Sequence, residues 1–294
     1  MLSYQHEYHA GNVADIQKHV CLNTILEGLC SKEKPFTVID SHSGAGVFNL
    51  QDQRSLKTGE AQEGILKLYK YFTNPNIPFP PELKNYMQKE DPYIKEGLYA
   101  GSPEIERLNM RKGDNLFLIE KHPQAIENLQ SNLHESLLTP SGRSKSLVKV
   151  NLIKSDSYQS LNALTPPLIK RGLVLVDPSY EDSSDYKEVT DAIKNVHKKW
   201  NTAIIALWYP LVSRRKNETS QMLSALEDDA KMSLNPSETF RCEMIIKDAE
   251  EVKKEDGPHL YGSGMFVINP PWNLKEKMEK NCSFIRKMLI MDNL

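Results

Sequence analysis

Gly172-Leu173-Val174-Leu175-Val176-Asp177-Pro178-Ser179-Tyr180 joins a short apolar run to a carboxylate, a rigid turn and an aromatic ring. Residues 173–176 are apolar at every position and include two valines, which fits a strand of a parallel sheet covered on both faces. Ligands of such sheets bind beyond the carboxyl ends of the strands, where Asp177 stands. An acid, a proline carbonyl and a ring at that place suit the amine of a flat base. The exocyclic amine of adenine is a poor nucleophile because its lone pair is delocalised into the ring. The Asp177 carboxylate and the Pro178 carbonyl are two acceptors able to draw it toward tetrahedral geometry. Tyr180 is then placed to stack on the base, a contact worth about 1–3 kcal/mol. Taken alone, these residues are more readily an Asp-Pro turn capping a strand, with Tyr180 as packing.

Outward from this stretch, strands alternate with helices. Pro35 to Asp40 reads as a buried strand ending in an acid, and further strands are expected at 116–120, 148–153, 203–208 and 265–269. Helical stretches lie at 102–111, 123–134, 185–199 and 217–231. Residues 13–30 read as an amphipathic helix with Asn12 as N-cap and Asp15 in the first turn. Alternation of this kind implies an α/β fold with a mostly parallel sheet and helices on both faces. One long gap separates Asp40 from the strand ending at Glu120. We therefore expect a single domain over 1–294 with an inserted helical subdomain at 50–98. Within it, 60–72 and 82–90 read as helices, and the proline-rich 74–81 does not. The basic and acidic residues of the insertion balance, so charge does not mark it as an RNA clamp.

The first strand opens into Asp40-Ser41-His42-Ser43-Gly44-Ala45-Gly46, a glycine-rich turn that lets backbone approach a ligand closely. Asn49 stands where G-x-G-x-x-G has its third glycine, which weakens the case for a dinucleotide. Glu120 ends the second strand and suits a ribose with two hydroxyls to satisfy. Asp156 ends the third and suits an adenine amine. Each acid alone is more often a strand-end cap. Their order, glycine turn, acid, acid, then Asp-Pro-x-Tyr after successive strands, is the series of Rossmann-like methyltransferases that use S-adenosylmethionine. A second tetrapeptide, Asn269-Pro270-Pro271-Trp272, fits the amine-methyltransferase pattern better by residue type but follows the last strand, and we read it as structural.

Composition bounds the rest. The 294 residues carry a formal net charge of −2, which argues against a protein that coats nucleic acid by bulk electrostatics. Local basic stretches at Arg143, Lys145, Lys149 and Lys154, and at Ser213-Arg214-Arg215-Lys216, read equally as solvated loops or phosphate-contacting patches. No window approaches a membrane span and the amino terminus lacks a secretion signal, so a cytoplasmic chain is expected, with no membrane partner. Cys21, Cys30, Cys242 and Cys282 show no C-x-x-C pairing; they are expected to be reduced, with Cys21 facing a core. His6, His9, His19 and His42 find no cysteine or carboxylate at ligand spacing, so no metal is expected.

The chain resembles the bacterial family of large-subunit ribosomal RNA adenine-N6 methyltransferases typified by RlmJ, over nearly its whole length. The likeness rests on Met1-Leu2-Ser3-Tyr4, His9-Ala10-Gly11-Asn12, Lys18-His19, His42-x-Gly44-Ala45-Gly46, Gly101-Ser102-Pro103, Glu120-x-His122-Pro123, Leu207-Trp208-Tyr209-Pro210 and the run from Ser263 to Trp272. The resemblance implies that His19, His42, Ser102, Glu120, Asp156 and Ser157, with Gly44 and Gly46 of the turn, line the S-adenosylmethionine site. It implies Asp177 as the catalytic residue, also reached by the cofactor, and Tyr4 as a contact to substrate RNA. By itself Ser102-Pro103 is an ordinary N-cap and first-turn pair, and His19 suits a structural histidine near a core face. Two positions depart from the family pattern: Ser179 stands in place of a second proline, and Ser157 in place of a glycine.

The expected activity is methylation of the N6 amine of one adenine in 23S rRNA. The base is flipped into a pocket formed by Asp177, Pro178, Ser179 and Tyr180, and S-adenosylmethionine is the donor. The chain is expected to act as a monomer. Three alternatives stay open at this point: an amine methyltransferase of DNA adenine or protein glutamine, a nicotinamide-dependent oxidoreductase on the same fold class, and a non-catalytic RNA-binding homologue.

Overall fold

A computed structural model of the chain describes residues 6–136, 148–252 and 260–290. Its strands, in chain order, are β1 Thr37–Asp40, β2 Val47–Asn49, β3 Leu98–Ala100, β4 Asn115–Glu120, β5 Lys149–Lys154, β6 Gly172–Val176, β7 Ile204–Val212, β8 Thr239–Ile245 and β9 Leu260–Ile268. Seven of them form one sheet in the order β5-β4-β1-β6-β7-β9-β8. All neighbours from β5 to β7 run parallel, and β9 alone is reversed, antiparallel to both β7 and β8. The chain leaves β1 toward β4 and β5, then returns to place β6 on the other side. The strand order therefore reverses between β1 and β6, and the crevice at their carboxyl ends is where such sheets bind ligands.

The apolar run of β6 serves both faces. Leu173 and Leu175 join one buried cluster and Val174 and Val176 the other, and all four are fully buried. The first cluster packs under the long helix α1, Val13–Cys30, under the inserted helices and under Leu274–Leu289. The second packs under Ser183–Lys199 and Lys216–Met232.

Several expectations need correction. Helix α1 is not amphipathic in its setting: Asp15, Gln17, Lys18, His19, Asn23 and Thr24 are buried along with its apolar residues. Its polar side is covered by the insertion and by the carboxyl edge of the sheet. Asn12 does cap it, accepting from Asp15 N at 2.8 Å. The expected helix at 82–90 extends over Pro81–Lys95, with Pro92 inside. The helical stretch 60–72 is two pieces, Glu60–Glu63 and Ile65–Phe72, broken at Gly64. A Cβ on Gly64 would lie 2.2 Å from Gly11 O, so the break lets the insertion press against the entry to α1. The short strands β2 and β3 pair antiparallel and bring the two ends of the insertion together. Strand β8 and the helices Ser157–Leu164 and Leu274–Leu289 add to the elements read from the sequence.

Asn269-Pro270-Pro271-Trp272 follows β9, and since that strand is reversed the tetrapeptide lies at the sheet edge opposite Asp177. Asn269 adopts φ 55° and donates to the carbonyls of Asn201 and Ala203 at 2.7 and 2.8 Å. It ties the ends of two strands together, as its structural reading requires.

Candidate active site

A cavity of about 660 Å³ opens at the carboxyl ends of β1, β4, β5, β6 and β7. Among the sequence-predicted residues, His19, His42, Gly44, Ser102, Glu120, Asp156, Ser157, Asp177, Pro178 and Tyr180 line it. Gly46 does not. It sits behind the turn with φ 77°, and a Cβ there would lie 2.7 Å from Leu129, so its bareness serves helix packing. Tyr4, Arg143 and Lys145 fall outside the described residues.

On the β1 side, the turn is held by its own acids. Gly44, at φ 60°, donates its N–H to Glu120 Oε2 at 2.8 Å, and His122 N donates to Oε1 at 2.6 Å. Asp156 caps the helix Ser157–Leu164 through the amides of Tyr158 and Gln159 and meets Lys121 at 3.2 Å. Ser157 Oγ donates to Ser41 O at 2.5 Å. Ser102 is no N-cap: Gly101 takes that place, and Ser102 Oγ donates to Asp40 Oδ2 at 2.7 Å.

Asp40 itself is fully buried, and burial pushes its pKa up to about 7 although Ser102 and the His42 amide oppose the shift. Between the ordinary carboxylate pKa and about 7, the native state keeps a proton that the unfolded chain has lost. Stability from this group therefore falls as pH rises through that window. Asp40→Asn is expected to remove the fall, which amounts to roughly 3 kcal/mol between about pH 5 and pH 8, read from urea midpoints at the two pH values. A variant as pH-sensitive as the wild type would contradict this reading.

Asp177, just beyond β6, meets α1. Lys18 Nζ bridges Asp177 Oδ2 at 2.6 Å and Asp15 Oδ1 at 2.8 Å. Asp15 Oδ2 in turn accepts from Gly11 N and meets His6 Nε2, both at 3.0 Å. Burial disfavours the charge on Lys18, but the two carboxylates outweigh it and hold the ammonium above its usual range. Burial likewise opposes the charge on Asp15, yet His6 and Lys18 hold it well below the usual carboxylate range. His19 is kept neutral by burial and by the neighbouring Lys18 charge, and burial pulls His42 down to about 4.

The outer part of the cavity is aromatic. Tyr180 takes φ 51°, a strained value for a bulky residue, and donates from its hydroxyl to Trp208 O at 3.1 Å. Its ring lies 4.7 Å from that of Tyr186 and 6.2 Å from that of Trp208. Arg214 and Arg215 stand on the same wall beyond Pro210. The sequence alone assigns Lys18 and Trp208 no part in the site, and Asp15 only a place in the first turn of α1. Trp208 Nε1 is a buried donor without a partner among the described residues, on a side chain lining the cavity. The legible signal for Lys18 was a lysine three residues from an aspartate inside a helix otherwise rich in apolar residues.

The residues fit an adenosine-bearing cofactor by three observations. The turn has a positive-φ glycine, the cavity has room, and His19, which lines it, has a buried Nε2 without a partner among the described residues. The dinucleotide-binding order 3-2-1-4-5-6 has no reversed strand where β9 lies, which sets this sheet apart from nicotinamide enzymes. Sheet order, glycine turn and strand-end acids together define an S-adenosylmethionine-dependent methyltransferase of the Rossmann-like class. Residues 33–293 match the family described as ribosomal RNA large subunit methyltransferase D, RlmJ, and the chain belongs to that family. It is 34% identical over 293 residues to ribosomal RNA large subunit methyltransferase J of Escherichia coli, covering 99% of this chain and 95% of that one. The protein of the same name from Haemophilus influenzae is 36% identical over 295 residues, with the same coverage. A Legionella pneumophila protein of known crystal structure superposes with a TM-score of 0.77 at 30% identity, covering 96% of this chain and 94% of that one. Among the described residues no group of three or more His, Cys, Asp or Glu could hold a metal ion, and no helix is long and apolar enough to cross a membrane.

Proposed function

We propose that this chain methylates the N6 amine of one adenine in 23S rRNA, with the base flipped from its stack into the aromatic part of the cavity. The supporting observation is the shared cavity: Asp177, Pro178 and Tyr180 line the same space as His19, Gly44, Glu120 and Asp156. S-adenosylmethionine supplies a methyl group activated by its sulfonium. His19, His42, Gly44, Ser102, Glu120, Asp156 and Ser157 bind it, and Tyr4 meets the RNA. Lys18 holds one oxygen of Asp177 and leaves Oδ1 for the amine. Asp177 Oδ1 and the Pro178 carbonyl accept the two amine hydrogens, and Asp177 takes the proton released on methylation, directly or through water. Tyr180 and Trp208 offer the apolar surface that a flipped base needs, offsetting a few kcal/mol of unstacking. We read residues 1–294 as one domain, with 50–98 as an insertion, acting as a cytoplasmic monomer.

The test is transfer of labelled methyl to deproteinised bacterial 23S rRNA that lacks the modification, with nucleoside mass spectrometry and Asp177→Ala as control. N6-methyladenosine with the wild type alone is the expected result. DNA and protein acceptors run in parallel would expose a different amine substrate. RNA binding with no product on any acceptor, and none after Ser179→Pro, would leave a non-catalytic RNA-binding protein.

A further inference from the structure

Among the described residues, the lysines and arginines that line the cavity are Lys18, Arg54, Lys121, Arg214 and Arg215. All but Arg214 are held by carboxylates of this chain. Lys18 lies between Asp177 and Asp15 at 2.6 and 2.8 Å, Arg54 meets Asp52 at 3.0 Å, Lys121 meets Asp156 at 3.2 Å, and Arg215 meets Glu218 at 2.9 Å. Arg214 is exposed and has no hydrogen bond or ion pair among the described residues.

Its neighbours hold that arginine at the rim. Strand β7 carries Trp208 and Pro210 into the cavity wall, and a short helical turn, Ser213–Arg215, follows it directly. Ser213 Oγ donates to Ala249 O at 3.1 Å, Arg215 is tied to Glu218, and Lys216 Nζ lies 5.4 Å from the centre of the Tyr261 ring. The residues on both sides of Arg214 are thus fastened to the protein, while its own guanidinium is left to solvent. Tyr180 is fastened to the same strand, its hydroxyl donating to Trp208 O at 3.1 Å. The free cation and the aromatic surface for a base therefore share one support.

A guanidinium meets a phosphate with two parallel N–H donors, and this one has no carboxylate partner to give up first. A base flipped into the aromatic part of the cavity leaves its phosphodiesters outside, at the rim where Arg214 stands. Glu181, Asp185 and Glu188 also line the cavity and repel a phosphate. With a formal net charge of −2, the chain has no bulk attraction for RNA to offset them. A single free cation beside the base surface then decides where the strand lies. We propose that Arg214 binds a phosphodiester next to the flipped adenosine and holds the substrate strand in register with Asp177 and Tyr180. This rests on the reading that an rRNA adenine enters the cavity. It adds a residue that grips the strand, apart from those that hold the base and the cofactor.

The experiment measures binding of deproteinised 23S rRNA at several salt concentrations, and methyl transfer to a short RNA carrying the adenine that the wild type methylates. Arg214→Ala is expected to weaken RNA binding about three- to tenfold and to raise KM for RNA with it, leaving kcat and KM for S-adenosylmethionine little changed. Loss of one phosphate contact should also flatten the slope of log affinity against log salt by about 0.7–1. Arg214→Lys keeps the charge and should recover part of both. Lys112→Ala removes the same charge just before β4, at the opposite end of the sheet, and should change neither. A neutral methylphosphonate on the 5′ or the 3′ side of the adenine locates the contact. One of the two should cost the wild type most of that factor and cost Arg214→Ala little, the non-additivity of a direct pair. An unchanged salt slope in Arg214→Ala, equal losses in Lys112→Ala, or methylphosphonate losses that simply add to that of the variant would overturn the proposal. So would a raised KM for S-adenosylmethionine, which would place Arg214 on the cofactor's carboxylate. Failure of the wild type to methylate RNA would count against the rRNA reading instead, and the salt slope of 23S rRNA binding would still decide whether Arg214 holds a phosphate.

Discussion

Asp177→Asn is expected to lower kcat for methyl transfer by about 10²–10⁴-fold, the usual worth of a positioned acid or base, and to leave S-adenosylmethionine affinity little changed. The substitution keeps the shape of the side chain and one acceptor oxygen but removes the charge that orients the amine and takes its proton. The fold should survive, because Lys18 keeps Asp15 as a carboxylate partner at 2.8 Å and is not left as a buried lone charge. Asp177→Ala should lose as much activity or more. Single-turnover transfer with saturating donor, alongside calorimetry of donor binding, separates the two roles. A variant that loses cofactor affinity in step with rate would show that Asp177 acts mainly on the donor.

The parts of this arrangement that were legible in the sequence are those encoded within one element. Leu173 to Val176 announce a strand buried on both faces, and the acids at strand ends announce the cavity rim. What was not legible depends on partners distant along the chain. Asp15, Gln17, Lys18 and His19 look like the wet side of an amphipathic helix. Their partners are Asp177 for Lys18, Tyr99 for His19, and Ser263 and the Cys242 carbonyl for Gln17. No window around α1 contains any of them. Strand β8 escaped notice for a different reason. At the sheet edge its outward residues Arg241 and Glu243 are exposed while Phe240, Cys242 and Met244 are buried, so it alternates with period two and lacks the continuous apolar run that marks β6.

The salt-bridged cluster also decides where stability is most vulnerable. Lys18→Met is expected to destabilise the protein by about 3–5 kcal/mol, the usual penalty for stripping the partner from a buried charge. The asymmetry with Asp177→Asn is physical. Losing one carboxylate leaves a lysine still paired, whereas losing the lysine leaves Asp15 and Asp177 facing each other, with side chains only 5% and 15% exposed. In the variant, the pair can relax by holding a proton, so at least one carboxyl pKa rises in the folded state. A raised acid loses stability as pH rises, so the deficit should be smaller near pH 5 than near pH 8. Adding Asp15→Asn removes one of the two opposed charges and should recover part of the loss, a non-additivity expected of groups in one network. Denaturant midpoints for the single and double variants at both pH values would check this. A Lys18→Met cost under about 1 kcal/mol, the range of an exposed pair, would mean the three charges are solvated rather than mutually held. Strict additivity with Asp15→Asn would mean that the destabilisation comes from lost packing of the lysine stem and not from the two opposed carboxylates.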